Sequence, residues 1–274
     1  MSDKTIPGYS HPGCYARGIG GCSSTITGEH YVSECVLLAI SGGARGLYVQ
    51  NLAFQKEANV PKEFGIRALQ SNILCGYHNS SLSPLDTTAG QVASALNAIN
   101  EKPPTHGVQP TPGFRVASYQ FSGDQLELWV LKVFCGFAAT GAIKRDEGVP
   151  WRLDPIPIEY LRILFGVESF AEHQGLYLLP IGDDEVISTG PDYLQFGLLR
   201  AADRTICGLR MWLYGLPFML NLMSVSPACE PEWTEARYRP EGIAFSLGKH
   251  EHVRFNWNGG CRSDPLVIGT CPWQ

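Results

Sequence analysis

Cys14, Cys22, Cys75 and His78 limit what this chain can fold into more than any other residues do. Thiolate sulfur and imidazole nitrogen suit a tetrahedral zinc ion, and a small fold gains free energy by closing such a site. Cys75 and His78 form a Cys-x-x-His pair directly after the apolar pair Ile73-Leu74, and two intervening residues let a tight knuckle aim both donors at one ion. Cys14 and Cys22 lie at the two ends of a glycine-rich loop. One ion held by all four would join two distant stretches. The alternative is a Cys75 that is simply buried and a His78 on a surface loop. Cys35 falls within an apolar segment and reads as core, while Cys135, Cys207, Cys229, Cys261 and Cys271 lack ligand spacing and read as packing or surface residues.

The chain has 274 residues, 44% hydrophobic and 17% charged, which excludes a largely disordered protein. Its 30 glycines and 19 prolines follow no triplet period, so collagen is excluded as well. Nine cysteines, an odd number, and an N-terminus without a basic stretch and apolar run predict a reducing, cytoplasmic setting. The most apolar stretch, 206–223, is broken by Arg210, Gly215 and Pro217, and reads as two buried strands around a Gly-Leu-Pro turn. No membrane partner is expected.

Prolines and glycines crowd the segment 101–113, which reads as an extended linker between a part at 1–100 and a larger part at 114–274. In the first part, 33–40 reads as a helix closed by Gly42-Gly43, and Asp86 as the cap of a helix running through Gln91, Val92, Leu96 and Ile99. The second part opens with a strand at 114–121. A helix capped by Asp124 follows, with Leu126, Trp129, Val130, Val133, Phe134 and Phe137 on one stripe. Strands are expected near 175–180, 194–200, 205–223, 242–247 and 252–257. The second part is therefore α+β with an antiparallel sheet. Asp183-Asp184-Glu185 and Lys249-His250-Glu251-His252 read as exposed turns.

Glu29-His30 precedes the predicted helix. An acid beside a histidine can set a metal ligand next to a general base, since a neutral imidazole accepts a proton near neutral pH. The alternative is a helix N-terminal acid and a hydrogen-bonded turn residue. In order, Cys14, Cys22, Glu29-His30, a helix, an insertion and Cys75-Gly76-Tyr77-His78-Asn79 resemble the HNH endonuclease family over residues 10–90. The resemblance implies a zinc-stapled ββα-metal fold, with Cys14, Cys22, Cys75 and His78 holding a structural zinc. His30 would be the general base, and Glu29 and Asn79 would hold a catalytic divalent cation, Mg²⁺ or a transition metal. Histidine replaces the second knuckle cysteine, and Gln70 stands where the family has the asparagine that orients the base. The lysine usual after the knuckle is absent, and Asp86 offers either a further acidic ligand or a helix cap.

The implied partner is nucleic acid, DNA before RNA, although the formal charge of −5 excludes a broadly basic protein. Arg17, Arg45, Lys56, Lys62 and Arg67 can meet phosphates, but Glu34, Glu57 and Glu63 offset them. The second part leaves room for a protein partner or a second copy of the chain. Nuclease domains on unfamiliar partner domains often serve microbial defence, an analogy at family level. The competing reading is a zinc-stapled binding or assembly protein on a degenerate HNH-like fold. No Walker A loop and no Gly-x-Ser-x-Gly elbow is present.

Overall fold

The chain is described by a computed structural model covering residues 5–42, 46–49, 52–53, 55, 60–101, 118–145, 148–179, 193–201, 203–225, 235–245 and 251–268. Its first elements are β1 (Ile26–His30), α1 (Glu34–Ile40), β2 (Gly46–Val49), β3 (Lys62–Gly65), β4 (Gln70–Cys75) and α2 (Gly76–Glu101). β1 and β4 pair antiparallel, with Ile26 opposite Cys75 and His30 opposite Gln70, and α2 starts at the residue after Cys75. A strand pair feeding directly into a helix results.

α2 runs unbroken for 26 residues through Pro84, so Asp86 lies inside it and caps nothing. Proline removes one helical hydrogen bond. Around it the hydroxyls of Ser81, Ser83 and Thr87 each bond the carbonyl four residues back. The predicted linker at 102–113 lies outside the described residues.

Next come β5 (Ser118–Ser122), α3 (Gly123–Thr140), α4 (Ile158–Leu164), β6 (Gly175–Leu178), β7 (Tyr193–Arg200), β8 (Ile206–Leu213) and β9 (Leu216–Asn221). β10 (Arg237–Tyr238), β11 (Gly242–Phe245), β12 (Glu251–Asn256) and β13 (Leu266–Ile268) complete the set. Both larger sheets are mixed rather than antiparallel. The seven-stranded sheet runs β10-β6-β9-β8-β7-β2-β3 with β2 parallel to β7. The four-stranded sheet runs β13-β11-β12-β5, and both of its outer pairs are parallel. The turn between β8 and β9 is Tyr214-Gly215, both at positive φ, which places Leu216 and Pro217 in the strand. Glu251 and His252 belong to β12, with Glu251 buried, rather than to an exposed turn. Asp183-Asp184-Glu185 lies outside the described residues.

α3 is the centre of the molecule. Its N-cap is Ser122, whose hydroxyl accepts from the Gln125 amide, two residues earlier than the predicted Asp124 cap. The apolar stripe is wider than predicted: Leu131, Cys135 and Ala138 are buried too, because α3 meets α2 and β4 on one side and β6, β8 and β9 on the other. A helix covered all round is a core helix. One continuous core reaches from Cys14 to Leu266 and takes in residues from both predicted parts. No helix among the described residues is long and apolar enough to cross a membrane.

Two charged residues of α3, Glu127 and Lys132, are buried, and each is paired. Glu127 meets the Arg239 guanidinium through both oxygens at 3.0 and 2.8 Å and accepts the Leu176 amide at 2.7 Å. A Cβ on Gly175 would lie 2.0 Å from Glu127 Oε1, so that position needs glycine for space as well as for its φ of 126°. Removing one partner leaves an uncompensated buried charge. Glu127→Ala is therefore expected to cost about 3 kcal/mol or more, measured by urea unfolding.

Candidate metal centre and the adjoining acid–base cluster

Cys14, Cys22, Cys75 and His78 come together. Their four ligand atoms lie within 4.8 Å of one another, and all four residues are buried. His78 turns Nδ1 to the three sulfurs, at 3.4 Å from Cys14, 3.8 Å from Cys22 and 3.3 Å from Cys75. A tetrahedron with bonds of about 2.3 Å to sulfur and about 2.0 Å to nitrogen has N···S edges of about 3.5 Å. The set has the dimensions and donors to hold a four-coordinate metal ion.

Local structure explains the convergence. Cys14 precedes a single 3-10 turn, Tyr15–Ile19, after which Gly20 and Gly21 adopt φ of 80° and 70° and turn the chain back to Cys22. Cys75 ends β4, and His78 lies in the first turn of α2. Ser23 ties the two stretches: its amide donates to Cys75 Sγ at 3.4 Å, and its hydroxyl accepts from the Tyr77 amide at 3.2 Å. The Phe165 ring packs edge-on to His78 at 5.0 Å.

Burial pushes the Cys14 thiol up to about 12 and raises Cys22 as well. It pushes Cys75 upward too, but the backbone amides of His78 and Ser23 outweigh it and bring that thiol down. Burial also lowers His78, against the pull of the Gly20 carbonyl. Cys75 is thus the readiest thiolate, and an ion binding here displaces protons from the others.

The remaining cysteines divide as follows. Cys135 and Cys207 are packing residues, and Cys261 is exposed. Cys35 is also exposed rather than core: it faces α2 at the rim of a groove, its thiol donating to the Asp86 carbonyl at 3.1 Å. Cys229 and Cys271 lie outside the described residues.

Beside the cluster, β1 and α2 bring two more predicted residues together. Asn79, the residue after His78, donates to Thr27 Oγ1 at 3.0 Å, and its amide favours the charged Glu29 carboxylate nearby. Strand alternation sets Glu29 on the inner face, where it is 7% exposed and burial raises its pKa against the opposing pull of Lys132. His30 follows at the strand end, half-buried. Its Nε2 is buried with no hydrogen-bond partner among the described residues. Burial lowers the His30 pKa, opposed by Glu34 and Asp86, so the ring is neutral at neutral pH. Gln70 stands opposite His30 in the strand pairing, and its amide oxygen lies over Gly28.

Lys132 is the residue that the sequence reading missed. Its ammonium is 2.5 Å from Glu29 Oε1 and 2.6 and 2.7 Å from the two oxygens of Asp86. Asp86 also accepts from the Ser33 hydroxyl, which in turn accepts from Trp129 Nε1 at 2.7 Å. Glu29, Asp86 and Asn79 are hard donors of the kind that suits a divalent cation. As folded, the Lys132 ammonium stands between the two carboxylates of that donor set. Compared with protein-family models, curated proteins and solved structures, the chain matches none.

Proposed function

We propose that the chain is an HNH-like endonuclease whose ββα unit is closed by a structural zinc on Cys14, Cys22, Cys75 and His78. The observation that carries the reading is the convergence of Cys14, Cys22, Cys75 and His78 on one point, with Asn79, the residue directly after the fourth ligand, tied to Thr27 of the strand that bears Glu29 and His30. Soft thiolates with one imidazole favour zinc over the hard cations. In this reading His30, neutral and with an unpartnered Nε2, takes the proton from an attacking water, and Gln70 across the strand pair orients it. Glu29 and Asn79, with Asp86 beside them, would hold the catalytic divalent cation. That ion supplies positive charge at the phosphate and at the leaving 3′ oxygen. DNA is the proposed substrate. A separate cavity of about 430 Å³ lined by Arg145, Arg200 and Arg204 together with the Asp203 carboxylate keeps a net positive lining that suits its phosphates.

One observation favours a second reading, a zinc-stapled binding or assembly protein without catalysis: the Lys132 ammonium on Glu29. Supercoiled plasmid incubated with the zinc-loaded chain and Mg²⁺ or Mn²⁺ separates the two. Nicked and linear products are expected. Intact plasmid under both ions, with stoichiometric zinc bound, sinks the nuclease and leaves the assembly protein.

A further inference from the structure

We propose that Lys132 is a built-in competitor for the cation position of this site, its ammonium exchanging with a divalent metal ion on the Glu29 and Asp86 carboxylates. The exchange deepens the nuclease reading and rests on it for its purpose. An ammonium has three N–H donors, and Lys132 directs them to three carboxylate oxygens at 2.5, 2.6 and 2.7 Å while only 4% exposed. A divalent ion on those oxygens cannot share the space with that nitrogen. It binds in place of it.

The charge count favours exchange over permanent occupancy. Glu29 and Asp86 against one lysine leave the cluster one positive charge short. A divalent ion in place of the ammonium removes the deficit. Asp86 is the exposed end of the pair: its side chain is 24% exposed and lines a groove of about 720 Å³ along α2 with Ser83, Thr87 and Gln91, so an ion enters from the Asp86 side. α3 is packed on both sides, so the side chain swings and the helix stays.

Mn²⁺ is the probe, because it ranks lowest among the divalent first-row ions and does not compete for a thiolate site. Full-length zinc-loaded protein is titrated with Mn²⁺, following free ion by EPR and unfolding by thermal melts. Wild type is expected to bind weakly, with no shift in melting temperature at about 1 mM Mn²⁺. Lys132→Ala is expected to melt lower in metal-free buffer and to bind one Mn²⁺ about a hundredfold more tightly than wild type. Mn²⁺ restores its melting temperature, and adding Asp86→Asn abolishes the gain. Lys132→Met, which keeps the apolar stem, serves if the alanine variant does not fold, and folding of either one only with Mn²⁺ present also supports the exchange. Equal Mn²⁺ affinity in wild type and variant, tight Mn²⁺ binding by wild type, or variants that fold under neither condition overturn it. Exchange without plasmid cleavage removes the nuclease and keeps the competitor; cleavage with unchanged Mn²⁺ affinity does the reverse.

Discussion

Cys75→Ala is expected to lose stoichiometric zinc and to unfold the N-terminal third of the chain at room temperature. Three separate losses act at once. The thiol most ready to ionise is gone, His78 loses its nearest sulfur, and the Ser23 and His78 amides lose the acceptor they share. Structural zinc contributes about 10–16 kcal/mol of apparent binding free energy in zinc-finger peptides, against a total stability of about 5–15 kcal/mol for a typical domain. Losing even part of that contribution exceeds what the local core can supply. Elemental analysis and a circular-dichroism melt measure the effect, and stripping wild type with a strong chelator is expected to reproduce it. A metal-free Cys75→Ala protein that melts with wild type would show that the four residues pack without an ion.

His30→Ala is expected to lower DNA cleavage by about 10²- to 10⁴-fold, the contribution of a positioned general base. Its fold is expected to persist, because Nε2 has no hydrogen-bond partner to lose. The cost is confined to the contacts of a half-buried ring, about 1 kcal/mol. Cleavage at the wild-type rate with an unchanged melt would remove His30 from the chemistry. A lost fold would make the ring a packing residue instead.

The four-residue Cys and His cluster was readable because ligand chemistry survives without coordinates. A Cys-x-x-His after two apolar residues has few uses other than a knuckle, and the x7 pair joins it through a glycine-rich turn. The helix expected at 33–40 and observed at 34–40 was equally legible from local pattern, whereas the β1–β4 pair was implied only by the ββα resemblance. Lys132 was not. On a helix read as one apolar stripe, a lysine falls by default on the water side, and its partners Glu29 and Asp86 lie far away in sequence. A signal was present all the same: Leu131, Cys135 and Ala138 flank it, so the helix is apolar nearly all round, and a charge on such a helix needs a partner. Asp86 was misplaced for a related reason. Pro84 reads as a helix boundary, but here it lies within a helix that hydroxyl side chains and tertiary packing sustain. The parallel pairing of β2 with β7 left no local trace, since it joins strands whose own patterns are short.

That pairing bears on how the chain can be cut. A fragment ending at Glu101 carries off β2 and β3 and leaves the backbone groups of β7 without neighbours along one side. It also strips the helix whose lysine neutralises Glu29. Bared edge strands recruit other chains, so each half on its own is expected to precipitate where the intact polypeptide stays dispersed. The N-terminal third is therefore an organ of the whole molecule rather than a cassette, and grafting it elsewhere would require a substitute for both the lost sheet and the lost ammonium.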